Sequence, residues 1–132
     1  MKRLVIVASG LVLALAAAEG RAADNRPDHP LDGYICMAIN LTAQQTMDPT
    51  IQVAARLEPF EASPTLGPVG LQVAVKDPRH EVKGFTEILY PTGKTAWIAS
   101  DLLVPYHSEA DPTARCVPYQ MKNGRYGFVY PH

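Results

Sequence analysis

The sequence predicts an all-β domain, built as a small barrel or sandwich. Three observations carry that expectation. Residues 84–106, GFTEILYPTGKTAWIASDLLVPY, read as strand, two-residue turn, strand, short helical turn and strand. Asn123-Gly124 lies between Tyr119-Gln120-Met121 and Tyr126-Gly127-Phe128-Val129, a strong short-range hairpin signal. Further short strand candidates recur at close spacing with turn residues between them.

The chain has 132 residues, which suits one domain. Residues 1–22 read as an export signal. Lys2 and Arg3 supply the charged start, residues 4–18 are apolar except Ser9, and Gly20-Arg21-Ala22 offers small residues for cleavage near Ala22. Ala18 and Ala23 are rival cut sites. The apolar run falls short of the ~20 residues that span a bilayer, which disfavours a membrane anchor. Cys36 follows Gly33-Tyr34-Ile35 rather than a lipobox, which disfavours a lipid anchor. Cleavage removes three basic residues and Glu19, so the net charge moves from −1 to −3. With no Lys/Arg cluster left, neither nucleic acid nor an anionic membrane is an expected partner.

Residues 23–33 carry prolines and charges and are expected to form a flexible leader; the domain proper is expected over 34–132. Residues 34–41 are apolar and fit a strand or the start of a short helix; periodicity does not decide. Asn40-Leu41-Thr42 has the form of a glycosylation sequon, and Asp48-Pro49 marks a turn. Residues 51–57 alternate as a strand, and 58–68, EPFEASPTLGP, read as a loop. Residues 69–76 form a second strand candidate with Leu71, Val73 and Val75 on one face, and 77–83, DPRHEVK, a polar connection.

The hairpin follows. Phe85-Thr86-Glu87-Ile88-Leu89-Tyr90 and Thr95-Ala96-Trp97-Ile98-Ala99 suit pleated, half-buried strands. Between them Pro91 cannot donate to a ladder and Gly93 takes a positive φ without cost. Ser100 is placed to cap a helical turn. Phe85 and Ile98 are expected in the core. After the polar stretch HSEADPTAR, the tail Asn123-Gly124-Arg125-Tyr126 echoes Thr92-Gly93-Lys94-Thr95 as a second hairpin rather than a repeat.

Cys36 and Cys116 lie near opposite ends of the domain. In an exported chain such a pair is expected to form one disulfide. The alternative is a nucleophilic thiol activated by His80 or His107. The apolar run around Cys36 would hold it as the neutral thiol.

Several of these pieces together resemble bacterial SH3-like domains. Val53-Ala54-Ala55-Arg56-Leu57-Glu58-Pro59, then Ser63-Pro64, then Leu66-Gly67-Pro68-Val69, are similar to the family's opening arginine strand, Pro/Ser loop and glycine turn. Gly84-Phe85-Thr86-Glu87-Ile88 resembles its Gly-Trp strand. Thr92-Gly93-Lys94-Thr95-Ala96-Trp97-Ile98 and Asp101-Leu102-Leu103 resemble its hairpin and following helical turn. The resemblance covers about residues 51–106. Phe85 stands for the usual Trp, Ala96 for the usual Gly, and 77–83 is longer than the usual connection.

The resemblance implies a small SH3-like barrel with N- and C-terminal extensions that the disulfide would join. It implies a non-catalytic module, periplasmic or secreted, that binds a cell-wall peptide, peptidoglycan or an envelope protein. The groove of such folds falls on Phe60, Glu61, His80, Glu81, Trp97 and Tyr106. A small inhibitor or accessory subunit of one periplasmic protein is the alternative. No catalytic residue, cofactor or metal is expected. The sequence lacks a Gly-rich phosphate loop, His-Glu-x-x-His and Cys-x-x-Cys. A metal set of His107, Glu109 and Asp111 is weaker than a solvated loop. No spacing supports a hydrolytic carboxylate pair among Glu58, Glu61, Glu87 and Asp101.

Overall fold

The computed structural model describes residues 24–132. The export signal expected over residues 1–22 lies outside them. The chain runs β1 (Pro27–Pro30), β2 (Tyr34–Ile39), α1 (Ala43–Met47), β3 (Ala54–Arg56), β4 (Thr65–Pro68), β5 (Gln72–Lys76) and β6 (Glu81–Val82). It continues through β7 (Phe85–Leu89), β8 (Thr95–Ala99), a 3-10 turn (Ser100–Leu102), β9 (Leu103–Pro105), β10 (Val117–Met121) and β11 (Tyr126–Val129). The fold is all-β, as expected.

Two antiparallel sheets form. The larger has the order β4-β3-β8-β7-β5-β2-β9, with β6 added on β7; the smaller is β1-β10-β11. Laid flat, seven strands would extend across roughly 29 Å. Yet Ala55 of β3 and Leu103 of β9, near opposite ends of the path, share one apolar cluster with Met37, Ile39, Val73, Val75, Ile88, Ala96 and Ile98. The sheet must therefore roll around that cluster. No ladder joins β4 to β9 among the described residues, so the barrel is open.

Period-two alternation decides which side chains fill it. Register pairs Ile88 with Ala96 and Thr86 with Ile98 on the inner face. Phe85 pairs with Ala99, and Glu87 with Trp97, on the outer face. Ile98 lies in the core as expected. Phe85 is buried but on the opposite face, outside the cluster, because it is out of phase with Ile88.

Local structure departs from expectation at identifiable places. The expected leader is instead β1, held by pairing to β10 at Pro27, His29 and Pro30. Residues 34–41 take the strand reading, and the helix comes only after them. A strand runs to Ile39, then Thr42 and Gln45 make a reciprocal capping box that starts α1. The strand expected over 51–57 shrinks to β3. The expected 58–68 loop contains β4, and the polar connection contains β6. Leu71 is 49% exposed, off the face that Val73 and Val75 share.

The two hairpins expected from the sequence, β7–β8 and β10–β11, use three-residue loops rather than two-residue ones. Tyr90 N–H donates to Lys94 O and Gly93 N–H to Tyr90 O; Met121 and Gly124 repeat the pattern with Arg125 and Met121. Gly93 (φ 88°) and Gly124 (φ 86°) supply the left-handed residue that closes each loop. The echo between the two segments is thus one of turn chemistry. Ser100 does not cap its turn. Its hydroxyl instead lies 2.7 Å from that of Thr86, which is fully buried and needs a partner.

The sheets are joined by the Cys36–Cys116 disulfide, with Cα atoms 5.6 Å apart. The Tyr126 hydroxyl donates to Leu89 O, and that of Tyr130 to Gln72 Oε1 at 3.3 Å. Burial pushes the Tyr126 phenol up to about 12, with Tyr34 and Tyr90 nearby adding to the shift. The folded state thus favours the neutral phenol. Its contribution to stability is whole below the ordinary tyrosine value near 10 and is lost as pH rises toward about 12. Urea midpoints are expected to fall across that window, and Tyr126→Phe to flatten the fall. An equal slope in the variant would show that other groups drive it.

Candidate functional site

The outer face of β3, β8 and β7 carries a cross-strand row of Arg56, Trp97 and Glu87. Glu87 is only 8% exposed. Lys76 Nζ lies 3.2 Å from Glu87 Oε2, and His80 Nδ1 3.1 Å from Oε1, so each oxygen faces a basic group. The His80 ring meets Trp97 edge-on, with centroids 5.3 Å apart. This row is packed and paired, which suits a platform rather than an open pocket.

Two loops frame the platform. In the first, Arg56 donates to Ser63 O at 3.2 Å and Ser63 Oγ accepts from Glu58 N–H at 2.9 Å. Ser63 is buried, and the loop holds itself through backbone bonds that include Phe60 N–H to Glu58 O and Ser63 N–H to Phe60 O, while Phe60 stays 40% exposed. In the second, Glu87 N–H donates to His80 O, and Arg79 bridges Glu81 and Thr86. That loop closes through Lys83 and Gly84, both at positive φ, between paired Val82 and Phe85. Positive φ at both central residues is the turn that two-residue hairpins favour.

Between the loops opens a groove of about 620 Å³. Phe60 and Phe85 provide its apolar surface; Glu61, Asp101 and Lys83 provide its charge. The arrangement can hold an extended segment, with an apolar side chain against the phenyl rings and polar ends at the rim.

The six residues expected to form one groove separate into three places. Phe60 and Glu61 line the groove. His80 and Trp97 join at the neighbouring platform, while Glu81 turns to Arg79. Tyr106 is elsewhere. It follows β9, which pairs with β2 at the far end of the sheet, and its ring packs on Tyr130 at 5.7 Å beside the disulfide. Sheet order, not chain order, decides that separation. Sequence reading missed Lys83, Asp101 and the paired state of Glu87. The Lys83-Gly84 turn and the Phe85/Glu87 alternation were the available signals. Cys36 and Cys116 are both in the disulfide. Asp111, from the weighed metal set, is instead 2.5 Å from His132.

No family model, curated protein or solved structure gives a significant match to this chain. No helix among the described residues is long and apolar enough to cross a membrane.

Proposed function

We propose that this chain is an exported, non-catalytic, SH3-like binding module that docks on an extended peptide of the cell envelope, either a cell-wall peptide or a segment of an envelope protein. The observation that carries the reading is the groove between the 57–64 and 77–84 loops, where an exposed phenylalanine and a buried one meet two carboxylates and one ammonium group. Aromatic surface edged by charge suits an extended peptide, because the rings bury side chains while the rim orients the backbone and ends. The disulfide supports an oxidising compartment, in keeping with the export signal expected over residues 1–22.

The test pairs sedimentation on purified cell wall with a pull-down from an envelope extract. The expected result is retention that Phe60→Ala weakens about tenfold, the loss of one exposed aromatic anchor. Because Phe60 is 40% exposed, the variant should fold as the parent does. One stoichiometric protein partner without wall binding, retained equally by Phe60→Ala, would favour the accessory-subunit reading. Failure of both arms, or retention indifferent to Phe60, would sink the groove as the site.

A further inference from the structure

Free strand edges present unpaired N–H and C=O groups, and natural sheets blunt them with proline, charge or shortness. Among the described residues, four of the five edge strands are blunted in this way. β1 is Pro27-Asp28-His29-Pro30, β4 ends in Pro68 and β9 in Pro105, and β6 is two residues long with Glu81. β11, Tyr126-Gly127-Phe128-Val129, has neither proline nor charge, and its one ladder among the described residues is with β10.

The phase of that ladder identifies the free groups. Met121 N–H donates to Arg125 O, and Arg115 N–H to Pro131 O. Hydrogen-bonded pairs alternate along an antiparallel ladder. Odd-numbered residues from 125 to 131 therefore turn their backbone groups to β10. Tyr126, Phe128 and Tyr130 turn theirs to the open side.

We propose that β11 is a self-association edge, at which two copies of this chain pair β11 antiparallel about a two-fold axis at Phe128. One register uses all three free residues of both copies. Phe128 pairs with Phe128 of the second copy, and Tyr126 with its Tyr130. That makes about six backbone hydrogen bonds and runs the two small sheets into one. Charge fits the same register. Arg125 is exposed and makes no ion pair among the described residues. At the other end of the strand Asp111 holds His132. The register sets Arg125 opposite the second copy's Pro131, one residue from His132 and its carboxylate partner. Each Arg125 thus comes to the end of the second copy that carries the Asp111 carboxylate, alongside His132 and Arg115. An extended peptide would gain the same backbone bonds but not this two-fold match.

Sedimentation equilibrium of the full chain, expressed into an oxidising compartment, tests this across micromolar concentrations. A monomer–dimer equilibrium is expected. Phe128→Pro removes an N–H that faces the open side and none that β10 uses, and should weaken dimerisation about tenfold or more. Should that variant fail to fold, Arg125→Glu alters an exposed side chain and should weaken the dimer in a way that added salt relieves. A monomer at every concentration overturns the proposal. So does a dimer that Arg125→Glu or a folded Phe128→Pro leaves intact. Neither substitution touches the 57–64 groove, so the outcome is independent of the peptide-binding reading.

Discussion

Reduction and alkylation of Cys36 and Cys116, or their joint replacement by serine, is expected to lower the unfolding free energy by about 4 kcal/mol. The bond closes a loop over a sequence separation of 80 residues. That loop contains every strand from β3 to β9, so the cross-link restricts nearly the whole core-forming chain before folding. It also fixes β2 beside the segment that leads into β10, which couples the two sheets. Domains of this size bury a modest core and are commonly stable by only about 5–15 kcal/mol. The reduced protein should therefore sit close to its unfolding limit. Urea unfolding of oxidised and reduced-alkylated protein measures the difference. A change under about 1 kcal/mol would show that the Tyr126–Leu89 and Tyr130–Gln72 contacts already hold the smaller sheet, and that the unfolded chain gains little freedom.

Ile98→Ala is expected to cost about 3 kcal/mol, within the 2–5 kcal/mol found for truncating buried aliphatic side chains. Ile98 is 1% exposed and lies at the middle of the rolled sheet, among Ile88, Ala96 and Val75. Its neighbours belong to ladders on both sides, so they cannot collapse into the space, and much of the cavity should persist. Ile35→Ala provides the comparison in the same protein. Ile35 is 42% exposed, and its loss should cost only about 0.5 kcal/mol. Equal costs at the two positions would mean that the cluster does not carry the fold.

The parts of the fold that were legible have local causes. The aromatic and β-branched content of 85–90 and 95–99 and the Pro91…Gly93 and Asn123-Gly124 turns each act within a few residues. Those hairpins formed where expected. β1 and β4 were not legible, because Pro27-Asp28-His29-Pro30 and Thr65-Leu66-Gly67-Pro68 carry little strand propensity of their own. They are strands because β10 and β3 pair with them. The candidate groove was half legible. Phe60 and Glu61 lie in a Pro-rich loop that reads as exposed, whereas Lys83 and Asp101 reach it only because β6, β7 and the 3-10 turn meet there.

By itself the sequence determined the all-β class, the hairpin at 85–99, its counterpart at the tail and the cysteine pair available to link the ends. These follow from strand propensity, turn chemistry and the count of thiols. Tertiary structure alone decided the strand order, the open edge between β4 and β9, the burial of Glu87 between Lys76 and His80, and the distance of Tyr106 from Phe60. The physical reason is common to all four. Each depends on contacts between residues remote in the chain, whose free energy appears only when the sheet rolls and brings them together.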